Sequence, residues 1–449
     1  MELGVQHTKR ESSIIRLNPK SNERGFRQLL SQKVSGTCVG SWLLVPELHR
    51  LGAWDLIKGW TDSQDYDIAP RLALQLINES ALCINRVRRK NSLGHQGFQL
   101  VNGMGWISTD EQVHQLLDKS TMKKTQDLLI NLGHQRMLSG HFDGQIIAVD
   151  PHRVITSSKR VTPKKKKSSN NTSKKMTQMF FSLCAKTGQP IMANMASTGM
   201  PASIATCSLL ESTKIITRKP ALIVADKEHF TEQIIEWVHD DSSFDVLTPT
   251  PKTQRVKKLI NQLKFKPLWA GYALGETSFC FSKATNNHRL IVQRTGENPE
   301  NYSYSAFITT SNKSAQELIC QDYDKRWKIE EFFNFENKMG LNRTATLNLN
   351  IRYAKLAMTL IAQASTYQLR QKLSENYKSW NAEHLATHIL AWQDGDIRVK
   401  DDTIIVTLYN TPNHLDKSQF INLPNILQSQ NIDPRIPWLY DFKLDFRFK

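Results

Sequence analysis

The chain is poor in several features that would tie it to common protein classes. Cysteine is scarce, and Cys38, Cys83, Cys184, Cys207, Cys280 and Cys320 include no Cys-x-x-Cys pair, which argues against a disulfide framework and against a thiolate zinc site. No apolar run approaches the roughly 18–20 residues a membrane span needs. The N-terminus, MELGVQHTKRESS, lacks the apolar stretch of a secretory signal. A soluble, intracellular protein with reduced thiols is therefore expected. His384 and His388 stand four apart but not in His-Glu-x-x-His order, and read as a surface helix pair rather than a zinc site. Gly103-Met-Gly105 has no strand before it and reads as a turn. Acids are in deficit too: 42 Asp and Glu face 59 Lys and Arg, a net charge of +17, which points to a polyanionic partner, most simply nucleic acid.

What is present fits two or three domains in 449 residues. Residues 1 to about 30 carry Lys9, Arg10, Arg16, Lys20, Arg24 and Arg27 with little to bury, and predict a flexible arm. Helical patterns follow from Ser41, broken at Pro46 and Gly52, and again over 71–89, ending in Arg86, Arg88, Arg89 and Lys90. Residues 108–138 read as a helical pair resembling a helix-turn-helix, with a Ser108–Glu111 capping box and Ser120 capping the second helix. At Gly144 the period changes. Gln145-Ile-Ile-Ala-Val149 is a buried-strand pattern expected to stop at Asp150-Pro151, and Gln178–Ala185 with Pro190–Ala196 form a hairpin. Pro220–Ala225 repeats the apolar pattern and ends at Asp226, ahead of a helix over 229–239 and a strand at Phe244–Leu247. These elements predict an α/β domain around a mixed sheet. A basic helical piece (Arg255, Lys257, Lys258, Lys264, Lys266) opens a β-rich insertion with strands at 269–274, 277–281, 290–293 and 303–309. A long helix at 351–373, a hairpin over 397–408 and a Pro-containing tail complete the chain.

The most informative stretch is Tyr323–Lys338, YDKRWKIEEFFNFENK, which predicts an amphipathic helix. Ile329, Phe332, Phe333 and Met339 give it an apolar face, while Tyr323, Arg326 and Glu330 share the other at i, i+3 and i+7. Three acids stand out: Asp150 and Asp226 each end a buried strand, where ligands of open α/β sheets collect, and Glu330 lies on the helix. Grouped carboxylates repel and raise one another's pKa, whereas two Mg²⁺ ions neutralise them and clamp an in-line phosphoryl displacement.

The order of these parts resembles the DDE transposases of bacterial insertion sequences, in particular the cut-and-paste group with a Tyr-Arg-Glu-Lys signature. Asp150 in IIAVDPHR matches the first acid, Asp226 in ALIVADKEHF the second, and Tyr323, Arg326 and Glu330 in YDKRWKIEEFF match the signature. The family's Lys falls seven residues after its Glu. That position is Asn337, and Lys338 stands one residue out of register. The resemblance implies an α/β ribonuclease H-like mixed sheet with a β-rich insertion, preceded by a helical DNA-binding region. The boundaries it suggests are 1–140 for that region, 141–251 and 313–410 for the core, 252–312 for the insertion and 411–449 for the tail. It further implies metal-dependent cleavage and strand transfer with Asp150, Asp226 and Glu330 as catalytic metal ligands for two Mg²⁺, Mn²⁺ substituting. Tyr323, Arg326 and Lys338 are then phosphate contacts at the element's ends. An insertion that accommodates a hairpinned DNA end, a homodimer on DNA, and a bacterial cytoplasmic, nucleoid-associated location are implied as well.

Two other readings share these residues: a transposase-derived DNA-binding protein without catalysis, and a metal-dependent nuclease without strand transfer. Trp327 reads as core, or as a base-stacking residue. Lys164, Lys165, Lys166 and Lys167, flanked by Lys159, Arg160, Lys174 and Lys175, read as a DNA-contacting loop of sequence-independent affinity. Replacing Lys164–Lys167 with Gln is expected to flatten the slope of log K against log salt for random duplex DNA by about 0.9 for each phosphate that is no longer neutralised. Filter binding across a salt series checks this, and an unchanged slope rejects the DNA-contacting role.

Overall fold

The computed structural model describes residues 21–36, 38–84, 96–106, 108–164, 173–241, 243–341 and 346–449. The chain divides into two compact units, one made of Gly140–Ile155 and Lys159–Phe333, the other of the chain on either side together with Thr156–Ser158. Of the expected features, Lys9, Arg10, Arg16 and Lys20, the cluster Arg86–Lys90, and Lys165–Lys167 lie outside the described residues.

The first unit is built on one sheet of β1 (Ile146–Ile155), β2 (Met176–Cys184), β3 (Pro190–Ala196), β4 (Ala221–Ala225), β5 (Phe244–Pro249), β6 (Lys266–Trp269), β7 (Tyr272–Cys280), β8 (Asn287–Thr295) and β9 (Ser303–Thr309). Their spatial order is β3-β2-β1-β4-β5-β9-β8-β7-β6. β1, β2 and β3 run antiparallel, while β1, β4 and β5 are parallel neighbours. This is a mixed sheet, as the α/β reading of the sequence expects. β4, Ala-Leu-Ile-Val-Ala, is buried along its whole length, as the continuous apolar run of a central parallel strand requires. The insertion continues the same sheet, because β9 pairs antiparallel with β5.

Several local expectations are corrected here. β1 does not stop at Asp150-Pro151 but runs to Ile155, paired with β2 throughout. The carbonyl of Ile146 faces β2, where it accepts from the Ala185 N–H. By alternation along the strand, the N–H that Pro151 lacks falls on the other side, where pairing with β4 has ended at Val149, so no ladder bond is lost. In place of a single strand over 269–274, a turn at Ala270-Gly271 separates β6 from β7, with Gly271 at φ 70°. The helix Ala202–Thr217 has no counterpart among the expected elements. Its six Ser and Thr and its β-branched residues weaken the helical signal, yet Ala205, Leu209, Thr213 and Ile216 bury one face at helical spacing.

In the other unit, residues 21–30 are a helix rather than part of an arm: Phe26 and Leu30 are buried, and Arg27 pairs with Glu23 one turn earlier. Pro46 starts the helix Val45–Arg50 instead of breaking one, as a first-turn proline can. The helices Asp110–Lys119 and Met122–Leu138 form the expected pair, but Thr109 and Thr121 cap them. The hydroxyls of Ser108 and Ser120 are committed to Gln75 and to the Leu116 carbonyl. The stretch expected as a tail supplies Phe442–Phe448, a strand parallel to Thr403–Leu408 in a second sheet. No helix among the described residues is long and apolar enough to cross a membrane.

The rings of Phe332 and Phe333 lie 5.3 and 5.5 Å from that of Phe181 on β2, and all three are buried. Phe181→Ala is therefore expected to destabilise this unit by about 3–5 kcal/mol. Urea denaturation checks this, and a loss under about 1 kcal/mol would contradict the packing.

Candidate active site

Asp150 and Asp226 are brought together by strand register. Val149 on β1 is the parallel partner of Ala225 on β4, so the next residue on each strand is one of the acids, on neighbouring strands about 5 Å apart. β4 ends there, and Asp226 turns the chain by accepting the Glu228 N–H at its Oδ1.

The third acid arrives on a helical run of changing pitch rather than on one uniform α-helix. Leu318–Asp322 is π-helical, Tyr323–Trp327 is 3₁₀, Lys328–Glu336 is α, and Asn337–Leu341 is π with Gly340 at φ 105°. The 3₁₀ turn eclipses residues three apart, which aligns Tyr323 with Arg326. Glu330 follows four residues later in the first α-turn. Phe332 and Phe333 dock the run on Phe181, and the Tyr323 ring packs edge-on to Phe307 of β9 at 4.9 Å.

The electrostatics show how these groups meet. Burial pushes the Asp150 carboxyl up to about 7, with the negative charges of Asp226 and Glu330 adding to it and His229 and Arg326 opposing. The Arg326 guanidinium sits 3.9 Å from Asp150 Oδ2. Burial also favours protonation of Asp226, but the His229 hydrogen bond, the Glu228 N–H and Arg326 outweigh it and hold that carboxyl below its usual range. Burial raises the Tyr323 phenol, with the neighbouring Arg326 charge opposing. Asp150, Asp226, Tyr323, Arg326 and Glu330 thus form one interacting cluster. Its two aspartates differ: the Asp150 side chain is 13% exposed and that of Asp226 37%.

Sequence reasoning missed three residues that brace this cluster. His229 is wholly buried, and its Nδ1 lies 2.8 Å from Asp226 Oδ1. An ionised carboxylate only accepts, so Nδ1 carries the proton. Arg153 on β1 pairs with Glu228 and donates to Gln178 Oε1 on β2 at 3.1 Å, pinning the turn after Asp226 to the Asp150 strand. A signal was available, since Asp150-Pro-His-Arg153 and Asp226-Lys-Glu-His229 each place a nitrogen base three residues after the acid.

The remaining predicted residues lie elsewhere. Lys338 belongs to the other unit, where it is exposed and paired with Glu383 Oε2 at 2.7 Å. Lys164 is exposed, as are Lys159, Arg160 and Lys174, while Lys175 donates to the Arg160 carbonyl at 2.9 Å. Trp327 is not core: it is 63% exposed and lines a cleft with Gln145, Ile146 and Lys186, at the start of β1.

The donor set fits a hard divalent cation. It offers carboxylate oxygens only, and Asp150 is kept protonatable by burial and then by the negative charge of Asp226, which a cation would neutralise. Among the described residues no three His, Cys, Asp or Glu side chains enclose a single point. Mg²⁺ does not require such a cage, because it is commonly bound by one or two carboxylates with substrate phosphates completing its shell.

In metal-free protein the raised Asp150 pKa has a definite sign. The group is protonated in the fold up to about 7 but ionises near 3.8 when unfolded, so its contribution to stability is intact below 3.8 and lost as pH rises to 7. Asp150→Asn is expected to gain stability at pH 8 on the order of 4 kcal/mol, and none at pH 4. Chemical denaturation with chelator at the two pH values tests this, and no gain at pH 8 contradicts it.

Residues 141–364 match the transposase DDE domain family. Among solved structures the chain is similar to the piggyBac transposase in its synaptic complex with hairpin DNA, at 10% identity over 80% of this chain and 82% of that one, with a TM-score of 0.45. Comparison with curated proteins finds no match.

Proposed function

We propose that this chain, whose residues 141–364 belong to the transposase DDE domain family, cleaves DNA at the ends of a mobile element and joins the freed ends to a new site. The observation that carries the reading is the register pairing of Val149 with Ala225, which sets two acids side by side beneath Arg326. In this reading Asp150, Asp226 and Glu330 hold two divalent cations, Mg²⁺ or Mn²⁺. Bound there, the ions would supply Lewis acidity to the attacking and leaving oxygens of phosphodiester exchange.

The chain's own residues do the rest. Arg326 gives a planar, permanently charged donor to a phosphate oxygen beside the reacting phosphorus, and Tyr323 adds a neutral donor. His229 and the Glu228 N–H fix the Asp226 carboxylate, and Arg153 keeps the two acid-bearing strands from splaying. In hydrolysis, water oxygen bonds to phosphorus and the 3′ oxygen leaves as a hydroxyl. In joining, that hydroxyl attacks a target phosphodiester and a target 3′ oxygen leaves, so the number of phosphodiester bonds is conserved. The helical region before residue 140 is proposed to hold the element's terminal sequence, and a homodimer to bring two ends together.

One observation favours a DNA-binding protein without catalysis: Lys338 is out of register with the family's Lys and is engaged by Glu383. A labelled end-containing duplex with Mg²⁺ separates the readings. Cleavage followed by joining supports the proposal, cleavage alone supports a nuclease, and binding without cleavage supports the binder. Asp150→Ala, Asp226→Ala and Glu330→Ala are each expected to reduce cleavage by at least about 100-fold with duplex binding retained. Cleavage at wild-type rate in any of them removes that residue from the site.

A further inference from the structure

The insertion opens with a run of cations that the proposed chemistry leaves unused. From Val246 to Gly275 the chain has no acid, while Lys252, Arg255, Lys257, Lys258, Lys264 and Lys266 add six positive charges. All six residues are exposed. Their scaffold is defined: helix Gln254–Gln262 is capped by Thr253, whose hydroxyl accepts the Val256 N–H, and Val256 and Ile260 bury one face one turn apart. That leaves Arg255, Lys257 and Lys258 on the open faces, and the chain then runs through Lys264 into the edge strand β6 at Lys266.

The charges are also uncompensated. Among the described residues none of the six forms an ion pair; the Arg255 guanidinium stacks over Phe279 at 5.1 Å, and the nearest following acid, Glu276, is held by Arg289 at 2.7 Å. Six like charges on a short segment repel one another and lower the stability of the compact state, a cost relieved by a polyanion. The exposed side chains between the cations are Thr253, Gln254, Asn261 and Gln262, hydrogen-bonding groups rather than apolar ones. Such a face suits a hydrated phosphate backbone and not insertion into a bilayer. Lys264 and Lys266 have a second use, since lysines guard an open sheet edge against strand pairing. That explanation does not reach Lys252, Lys257 or Lys258.

We propose that the helix Gln254–Gln262 and its flanks form a DNA-backbone binding surface of the insertion, separate from the loop at Lys164. The inference rests on the DNA-processing role proposed above. It assigns the surface phosphate contacts, hence affinity without sequence preference.

The test is the full-length triple variant Lys252→Gln/Lys257→Gln/Lys258→Gln, which spares the edge strand and Arg255 and keeps good helix formers in the helix. Binding to a random-sequence duplex and to a random single strand is measured across a salt series, with Ca²⁺ in place of Mg²⁺. The slope of log K against log salt on duplex is expected to flatten by about 2 to 3, with affinity roughly tenfold or more weaker and thermal stability unchanged. Arginine at the same three positions restores the slope, which a structural role specific to lysine would not predict. A loss seen only on the single strand locates the same surface on unpaired DNA. An unchanged slope on both, in a protein that still cleaves end DNA, overturns the surface and leaves the proposed function standing. A flattened slope in a protein that never cleaves does the reverse.

Discussion

The site depends on one constraint, the parallel register of two neighbouring strands. With Val149 opposite Ala225, the chain has no choice but to present Asp150 and Asp226 side by side where β4 ends. A slip of one residue would turn each side chain to the opposite face of the sheet. The register is secured by the apolar content of both strands, Ile147, Ala148 and Val149 against Ile223, Val224 and Ala225, all buried. Burial then sets the chemistry, because two carboxylates in a partly desolvated place favour either a proton or a cation. The raised Asp150 and lowered Asp226 are the two halves of that tension: one keeps its proton, and the other is held ionised by His229.

The rest of the cluster is arranged around that pair. Phe181, next to Asp150's strand in the sheet, receives Phe332 and Phe333 and so sets the height of the helical run that carries Glu330. The change of pitch along this run stacks Tyr323 over Arg326. Arg153 and Glu228 close the arrangement from the other side of the sheet's end. These contacts lie within one compact unit, so the acids are preorganised by the same packing that stabilises the fold.

Much of this was legible in the residues. The apolar runs at 145–149 and 220–225 announce buried strands, and Tyr323, Arg326 and Glu330 share a face under any helical pitch near that of an α-helix. What was not legible has physical causes. The length of β1 past Pro151 depends on which side of the strand has lost its neighbour, a tertiary fact. The helix Ala202–Thr217 is hidden by Ser, Thr and β-branched residues whose low propensity is overridden by burial. Adjacent hydroxyls at Ser108-Thr109 and Ser120-Thr121 offer two caps each, and only packing commits one of each pair to a side-chain or carbonyl partner elsewhere. His229 and Arg153 were passed over because their partners come from a strand turn and a neighbouring strand, not from a helix face.

The central claim is that Asp150, Asp226 and Glu330 serve divalent cations beside a DNA phosphate. Its most direct test is anomalous diffraction from crystals of the protein with end DNA and Mn²⁺. The account predicts manganese density in contact with the Asp150 and Asp226 carboxylates. Well-ordered end DNA at these residues with no manganese peak between the two acids would contradict it.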